Sequence, residues 1–151
     1  MKKIKLTQGK FAIVDNGDFE SLNKCKWYYV KTHGLEYALG NNPSTLMHRV
    51  IIDAKKGEVT DHINGNGLDN RRKNLRICTI QENTRNQRLS IKSTSGVKGV
   101  TYHIKAKKWQ AQITVNEKVT YLGIFKKKSQ AKNAYNKAAK KFFGEFARLN
   151  Y

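Results

Sequence analysis

The sequence predicts an α+β protein built as two small modules in succession. Three observations carry that prediction. Residues 59–86 pass through strand-like, loop-like, strand-like and helix-like character in turn. Residues 97–125 hold three strand-like segments, and the middle one alternates apolar and polar side chains. A helical stripe of small apolar residues follows. A length of 151 residues is enough for one ordinary domain or two very small ones. The polar Ser/Thr/Lys stretch at 90–95 is the expected linker, dividing the chain into residues 1–90 and 91–151.

In chain order, residues 11–14, 27–30 and 37–39 are strand candidates, and 15–18 reads as a turn. Residues 40–44 read as a loop, and 45–52 as a short apolar-basic element containing His48 and Arg49. Residues 59–63 and 75–78 are strand candidates around a Gly/Asn/Asp loop at 64–73, which reads as too polar for a core. Thr79 and Glu82 fit a capping box, so a helix is expected after Thr79, with Asn83 and Asn86 on nearly one face. Residues 97–104, 108–116 and 119–125 are the three later strands, with a tight hairpin at 116–118. In the middle one, Trp109, Ala111, Ile113 and Val115 alternate with Lys108, Gln110, Gln112 and Thr114, so Trp109 is expected in the core. From Ser129 a helix is expected to bury Ala131, Ala134, Tyr135, Ala138, Ala139 and Phe142, with Gly144 as its C-terminal cap.

The charge points to a polyanionic partner. The net charge is +19, from 30 Lys+Arg against 11 Asp+Glu. It is uneven: residues 1–44 carry +3, residues 45–90 carry +4, and residues 91–151 carry +12. Nucleic acid is the first expectation, because clustered cations release counterions from a phosphate backbone. Cys25 and Cys78 form no CxxC pair, which argues against zinc; both read as reduced core thiols of a cytosolic protein. No signal peptide or membrane-spanning run is evident, and no membrane partner is expected.

The candidate chemistry lies in Val59-Thr60-Asp61-His62-Ile63-Asn64-Gly65-Asn66-Gly67, with Asn74 and Asn83 downstream. An Asp-His pair alone is most often structural, and Asn-Gly-Asn-Gly alone is a good turn. Together they are the parts of a one-metal site. Carboxylate and amide oxygens suit a hydrated Mg²⁺, and an imidazole accepts a proton near neutral pH.

His48-Arg49, Asp61-His62-Ile63-Asn64-Gly65, Asp69-Asn70-Arg71, Asn74-Leu75-Arg76 and Glu82-Asn83 resemble the pattern of HNH endonucleases, most closely the phage and intron-encoded homing type with a ββα-metal fold. The resemblance covers roughly residues 45–88. It implies His62 as general base, Asp61 and Asn83 as ligands of one Mg²⁺ or Mn²⁺, and Asn74 as the asparagine that braces the loop and orients the histidine. Unlike zinc-bearing relatives, this chain has no paired cysteines, so no zinc is expected. Arg71, Arg72, Lys73 and Arg76 are candidate phosphate clamps. His48 reads equally as a core or a phosphate-contacting residue.

A second resemblance covers residues 93–150. Ser95-Gly96-Val97-Lys98-Gly99-Val100, Trp109-Gln110-Ala111-Gln112-Ile113, Leu122-Gly123-Ile124-Phe125, Ala134-Tyr135 and 144–150 are similar to the AP2 DNA-binding domain. It implies a three-stranded antiparallel sheet, backed by one helix, that reads the major groove of double-stranded DNA. The groove-facing candidates are then Lys98, Thr101, His103, Lys108, Gln112, Thr114 and Tyr121. The expected whole is a monomeric, homing-type DNA endonuclease of a phage or mobile element, acting in a bacterial cytoplasm. Its rival is a DNA-binding regulator with an inactive nuclease module. An RNA-binding protein is a third reading, disfavoured because the aromatic stacking motifs of common RNA modules are missing.

Overall fold

The computed structural model describes residues 1–41, 44–90 and 93–151. Parts of the expected loop at 40–44 and of the linker at 90–95 therefore lie outside the described residues. The chain forms two compact units, Met1–Asn83 and Thr84–Tyr151.

The first unit begins with β1 (Lys2–Lys5), paired antiparallel with β2 (Phe11–Val14). A helix, α1 (Asn16–Asn23), follows where the sequence suggested only a turn at 15–18. Asp18 sits in its first turn, where a carboxylate suits the positive end of the helix dipole. Leu22 and Phe19, three residues apart, pack on the core. Asp15 makes no side-chain cap; its carboxylate accepts the Arg72 backbone N–H at 2.8 Å instead. The hairpin β3 (Trp27–Thr32) and β4 (Leu35–Gly40) turns through His33 and Gly34, both at positive φ. Then come α2 (Met47–Ile51), β5 (Val59–His62), β6 (Leu75–Cys78) and α3 (Ile80–Asn86).

Strands β5 and β6 pair antiparallel, with Asp61 opposite Arg76 and His62 opposite Leu75. The expected capping box closes α3: Thr79 N–H donates to the Glu82 carboxylate at 2.8 Å, and Glu82 N–H donates to the Thr79 hydroxyl at 3.2 Å. The segments from β1 to β4 complete the core of this unit. Ile4, Leu6, Ala12, Val14, Leu22, Trp27 and Ala38 join Met47, Ile51, Leu68 and Leu75 in one apolar cluster.

The 64–73 loop is not the solvated segment its composition suggested. Leu68, Asp69 and Asn70 are buried. Leu68 anchors the loop in the core, and β2 holds it on either side: Ile13 N–H donates to the Leu68 carbonyl, and Asn70 N–H donates to the Ile13 carbonyl, each at 2.8 Å. Most of its buried polar groups are bonded within the loop, to Asn74 or to β2, the Asn70 Nδ2 being the exception among the described residues.

The second unit holds β7 (Val100–His103), β8 (Lys108–Val115) and β9 (Lys118–Phe125), an antiparallel sheet in that order. Asn116 and Glu117, at φ 48° and 66°, make the tight turn between β8 and β9. A bulge beside Ala111 and Gln112 leaves Leu122 without a paired residue. Helix α4 (Lys128–Phe143) covers one face of the sheet, burying Ala131, Tyr135, Ala138, Ala139 and Phe143. Phe143 takes the buried place expected of Phe142, which is exposed. The chain after Gly144 folds back, so that Ala147 and Leu149 pack on the same cluster as Phe143. Trp109 is partly buried against that cluster, with Tyr102 edge-on to its ring at 5.0 Å.

The cysteines differ from expectation. Cys25 is exposed and Cys78 is partly buried, and both are free thiols. No helix among the described residues is long and apolar enough to cross a membrane.

Candidate active site

The end of β5 places Asp61 and His62 side by side, each only 6% exposed. Helix α2 brings His48 to them. Arg49 fixes that approach by donating to the Glu58 and Lys55 carbonyls, each at 2.7 Å, which ties the 52–58 segment to α2. The His48 ring meets the His62 ring edge-on at 4.7 Å, and Tyr37 of β4 lies 5.8 and 6.1 Å from the two rings. His48 is thus a buried neighbour of His62. Burial, aided by His62 and Arg49, pushes its pKa down to about 3.

Burial also lowers the His62 pKa, against opposing pulls from Asn70, Asp61 and Asp69. The ring is therefore neutral at pH 7, the state that can accept a proton. Its Nε2 lies 3.1 Å from the Asn70 Oδ1.

Asn74 braces the loop with three side-chain contacts. Its Oδ1 accepts the Asn64 N–H at 3.0 Å, and its Nδ2 donates to the Asp69 carbonyl at 2.7 Å and to the Asn64 Oδ1 at 3.1 Å. Its own carbonyl accepts the Ile63 N–H. Asp69 takes a two-pronged bond from Arg71, which holds its carboxyl below the usual range, and a further bond from Asn64.

Three of the four expected phosphate clamps are engaged with a carboxylate, while Lys73, the fourth, is exposed. Arg71 holds Asp69, Arg72 holds Asp18, and Arg76 holds Asp61 at 2.7 Å. Their side chains are 25%, 60% and 10% exposed, so only Arg72 presents most of its surface to solvent.

Asn83 lies in the first turn of α3, where its N–H donates to the Thr79 carbonyl. The Cys78 thiol takes a backbone hydrogen bond from Asn83 and also feels the Asp61 carboxylate. Burial and that carboxylate push the thiol's pKa up, so it stays protonated and supplies no soft thiolate beside Asp61. No group of three or more His, Cys, Asp or Glu among the described residues forms a metal cluster. The expected donors, a carboxylate from Asp61 and an amide from Asn83, are a set that would fit a hard ion keeping most of its water.

In the second unit, strand pairing places six of the seven candidates on one open face. Lys108 pairs with His103, Gln110 with Thr101, and Gln112 with Tyr121, while Thr114 has the same parity on β8. Lys98 is elsewhere. Its ammonium donates to the Arg85 and Gln87 carbonyls at 2.8 and 3.0 Å, away from that face. Burial and the Arg148 charge lower its pKa.

Three residues at the site were missed as site residues on the sequence: Tyr37, Asp69 and Asn70. The last two stand in the Asp69-Asn70-Arg71 motif, but their burial depends on β2, and Tyr37 arrives from a separate hairpin.

The buried imidazoles give a pH prediction. An unfolded histidine titrates near 6.5, whereas folded His48 does so near 3. Below about 6.5 the unfolded chain binds more protons, so stability present above that pH is lost as the pH falls toward 3. In denaturant melts between about pH 6.5 and 5, above most carboxylate titration, unfolding free energy should drop by up to about 1.4 kcal/mol per pH unit for this group. His48→Leu should flatten the slope; an equally steep slope in that variant would refute the assignment.

A family model described as HNH endonuclease matches residues 45–85, the segment from α2 through β5 and β6 into α3. An uncharacterised HNH endonuclease of Acanthamoeba polyphaga mimivirus is 32% identical over 147 residues, spanning 95% of this chain and 76% of that protein. Protein 3.8 of Escherichia phage T7 is 35% identical over 63 residues, 42% of this chain and 52% of that protein. No solved structure matches this chain. The match to the mimivirus protein runs over nearly the whole length, and the family segment encloses the ββα arrangement that carries Asp61, His62, Asn74 and Asn83; the chain belongs to the HNH endonuclease family.

Proposed function

We propose that this endonuclease cuts duplex DNA in a metal-dependent reaction of the homing type, acting as a monomer in a bacterial cytoplasm. The single observation that carries the reading is the buried, neutral His62 beside the Asp61 carboxylate at the end of β5. His62 takes a proton from the attacking water. Asn74 keeps the loop, and with it the end of β5, in place. The Asp61 carboxylate and the Asn83 amide oxygen would hold one Mg²⁺ or Mn²⁺, which when bound supplies charge to stabilise the departing oxygen. Arg76 donates to the Asp61 Oδ2 from Nε and Nη2, at 3.0 and 2.7 Å, which fixes the carboxylate that would hold the ion. Arg72 and Lys73 are the exposed loop cations placed to reach a DNA phosphate, while Arg71 and Arg76 hold the site's own carboxylates.

Residues 91–151 act as an AP2-like module that supplies affinity and some base preference. A three-stranded sheet with one helix behind it and an open polar face supports this reading, as does the +12 charge of the segment.

The test is nicking and linearisation of supercoiled plasmid. Cleavage is expected with Mg²⁺ or Mn²⁺ and should stop in excess EDTA. Asp61→Ala should raise the Mg²⁺ concentration needed. Robust cutting in EDTA, or none with any divalent ion, would falsify metal dependence.

Base readout has its own test. The Gln110 amide donates to the Gln112 Oε1 at 3.2 Å, so the two side chains are ordered side by side on the open face. An amide carries the donor and acceptor that fit adenine, whereas an ammonium suits phosphate. Gln112→Ala should cost about 1–3 kcal/mol on the best site and relax preference at one base position. Lys108→Ala should weaken binding evenly on all sequences and flatten the salt dependence. Selection on randomised duplexes decides it; an unchanged Gln112→Ala profile leaves the face a non-specific clamp.

A further inference from the structure

We infer that Asn70 is the positioning residue that fixes the His62 ring as its Nε2–H tautomer, leaving Nδ1 to accept the proton. The inference rests on the reading of His62 as the general base.

The geometry carries it. The Asn70 side chain is fully buried, and its Oδ1 lies 3.1 Å from His62 Nε2. An amide oxygen only accepts, so Nε2 carries the hydrogen. A neutral imidazole has one ring hydrogen, so Nδ1 keeps its lone pair. The amide is not free to drift. Asn70 N–H is bonded to the Ile13 carbonyl of β2, and the preceding Asp69 is locked to Arg71 and Asn64. This gives the N-terminal segment a part in the site: β2 is the rail on which the orienting amide is mounted.

The other end of the same amide makes the case sharper. Asn70 Nδ2 is buried with no hydrogen-bond partner among the described residues. An orphaned buried donor destabilises the fold, and a leucine of similar volume would avoid that. Packing therefore does not account for an amide at this position. The oxygen turned to His62 does.

The experiment uses the full chain labelled with ¹⁵N-histidine, without metal or DNA, at a mildly alkaline pH where the ring is neutral. The His62 ring signals are assigned by their loss in His62→Ala. Wild type and Asn70→Asp, which keeps an acceptor oxygen, should both show the Nε2–H pattern. Asn70→Leu should shift toward Nδ1–H or a mixture. In plasmid cleavage, Asn70→Leu should lower kcat on the order of 10²-fold with little change in KM, since only the alignment of the base is lost. Asn70→Asp should recover part of that loss. Cooperative melting of Asn70→Leu, checked before its kinetics are read, separates lost alignment from lost folding, since the variant removes one buried orphan donor but takes the acceptor from His62 Nε2. An Nδ1–H pattern in wild type, an unchanged tautomer in Asn70→Leu, or a stable Asn70→Leu with wild-type kcat each overturns the inference. If wild type cuts no DNA under any condition, the general-base reading fails, while the ring signals still decide whether Asn70 sets the tautomer.

Discussion

Replacing His62 by alanine is expected to remove nearly all cleavage while DNA affinity stays close to wild type. The imidazole acts only when water attacks, so its loss raises the barrier and not the dissociation constant. General-base help typically contributes ~10²–10⁴-fold, and a fall of that size in single-turnover rate is expected. The ring is almost fully buried against His48 and Tyr37, so the alanine variant must first be shown to melt cooperatively. His62→Gln is the companion variant, since it retains more of the volume. Wild-type turnover in either folded variant, or a dissociation constant that rises as far as the rate falls, would sink the assignment.

Gly67→Ala is expected to cost a large part of the first unit's stability. An added Cβ would run into the Glu36 carbonyl oxygen and the Tyr37 ring. The carbonyl belongs to β4, whose ladder with β3 pairs Glu36 with Lys31 and Tyr37 with Val30. That backbone cannot step aside without breaking the hairpin, so the loop must lift instead. Overpacking of this kind costs about 1–3 kcal/mol and sometimes more. Activity should fall with it, because Tyr37 flanks both His48 and His62. Gly17→Ala is the control: it sits in α1 with open space around it and should stabilise by up to about 1 kcal/mol. Chemical denaturation of the three proteins checks this, and a Gly67→Ala midpoint equal to wild type would refute the tight approach.

Much of the local architecture was legible from residues near one another in the chain. The period-two alternation of β8, the turn at Asn116 and Glu117, and the capping box from Thr79 to Glu82 all depend on neighbours within a few positions. So does the order of β5, loop, β6 and α3 that carries Asp61, His62, Asn74 and Asn83. Local rules failed where a distant partner competed. Asp15 to Asp18 has turn composition, yet Phe19 and Leu22 gain a core by continuing as a helix, and Asp15 and Asp18 bond Arg72 more than 50 residues away. Phe142 and Phe143 could not be ranked by periodicity, because the choice is made by the returning segment with Ala147 and Leu149.

By itself, then, the sequence determined the chemistry on offer: a carboxylate and an imidazole on one strand end, amides downstream, a large positive charge concentrated in the last third, and one strand with a polar side. Only the tertiary structure decided how those groups are used. It buried Asp69 and Asn70 by docking a polar loop on β2, and it set His48 against His62. It gave Arg71, Arg72 and Arg76 carboxylate partners and turned Lys98 toward backbone carbonyls. The physical reason is the same in each case. Strand, turn and helix preferences are short-range and can be read along the chain, whereas burial and pairing of polar groups depend on which distant segments pack together.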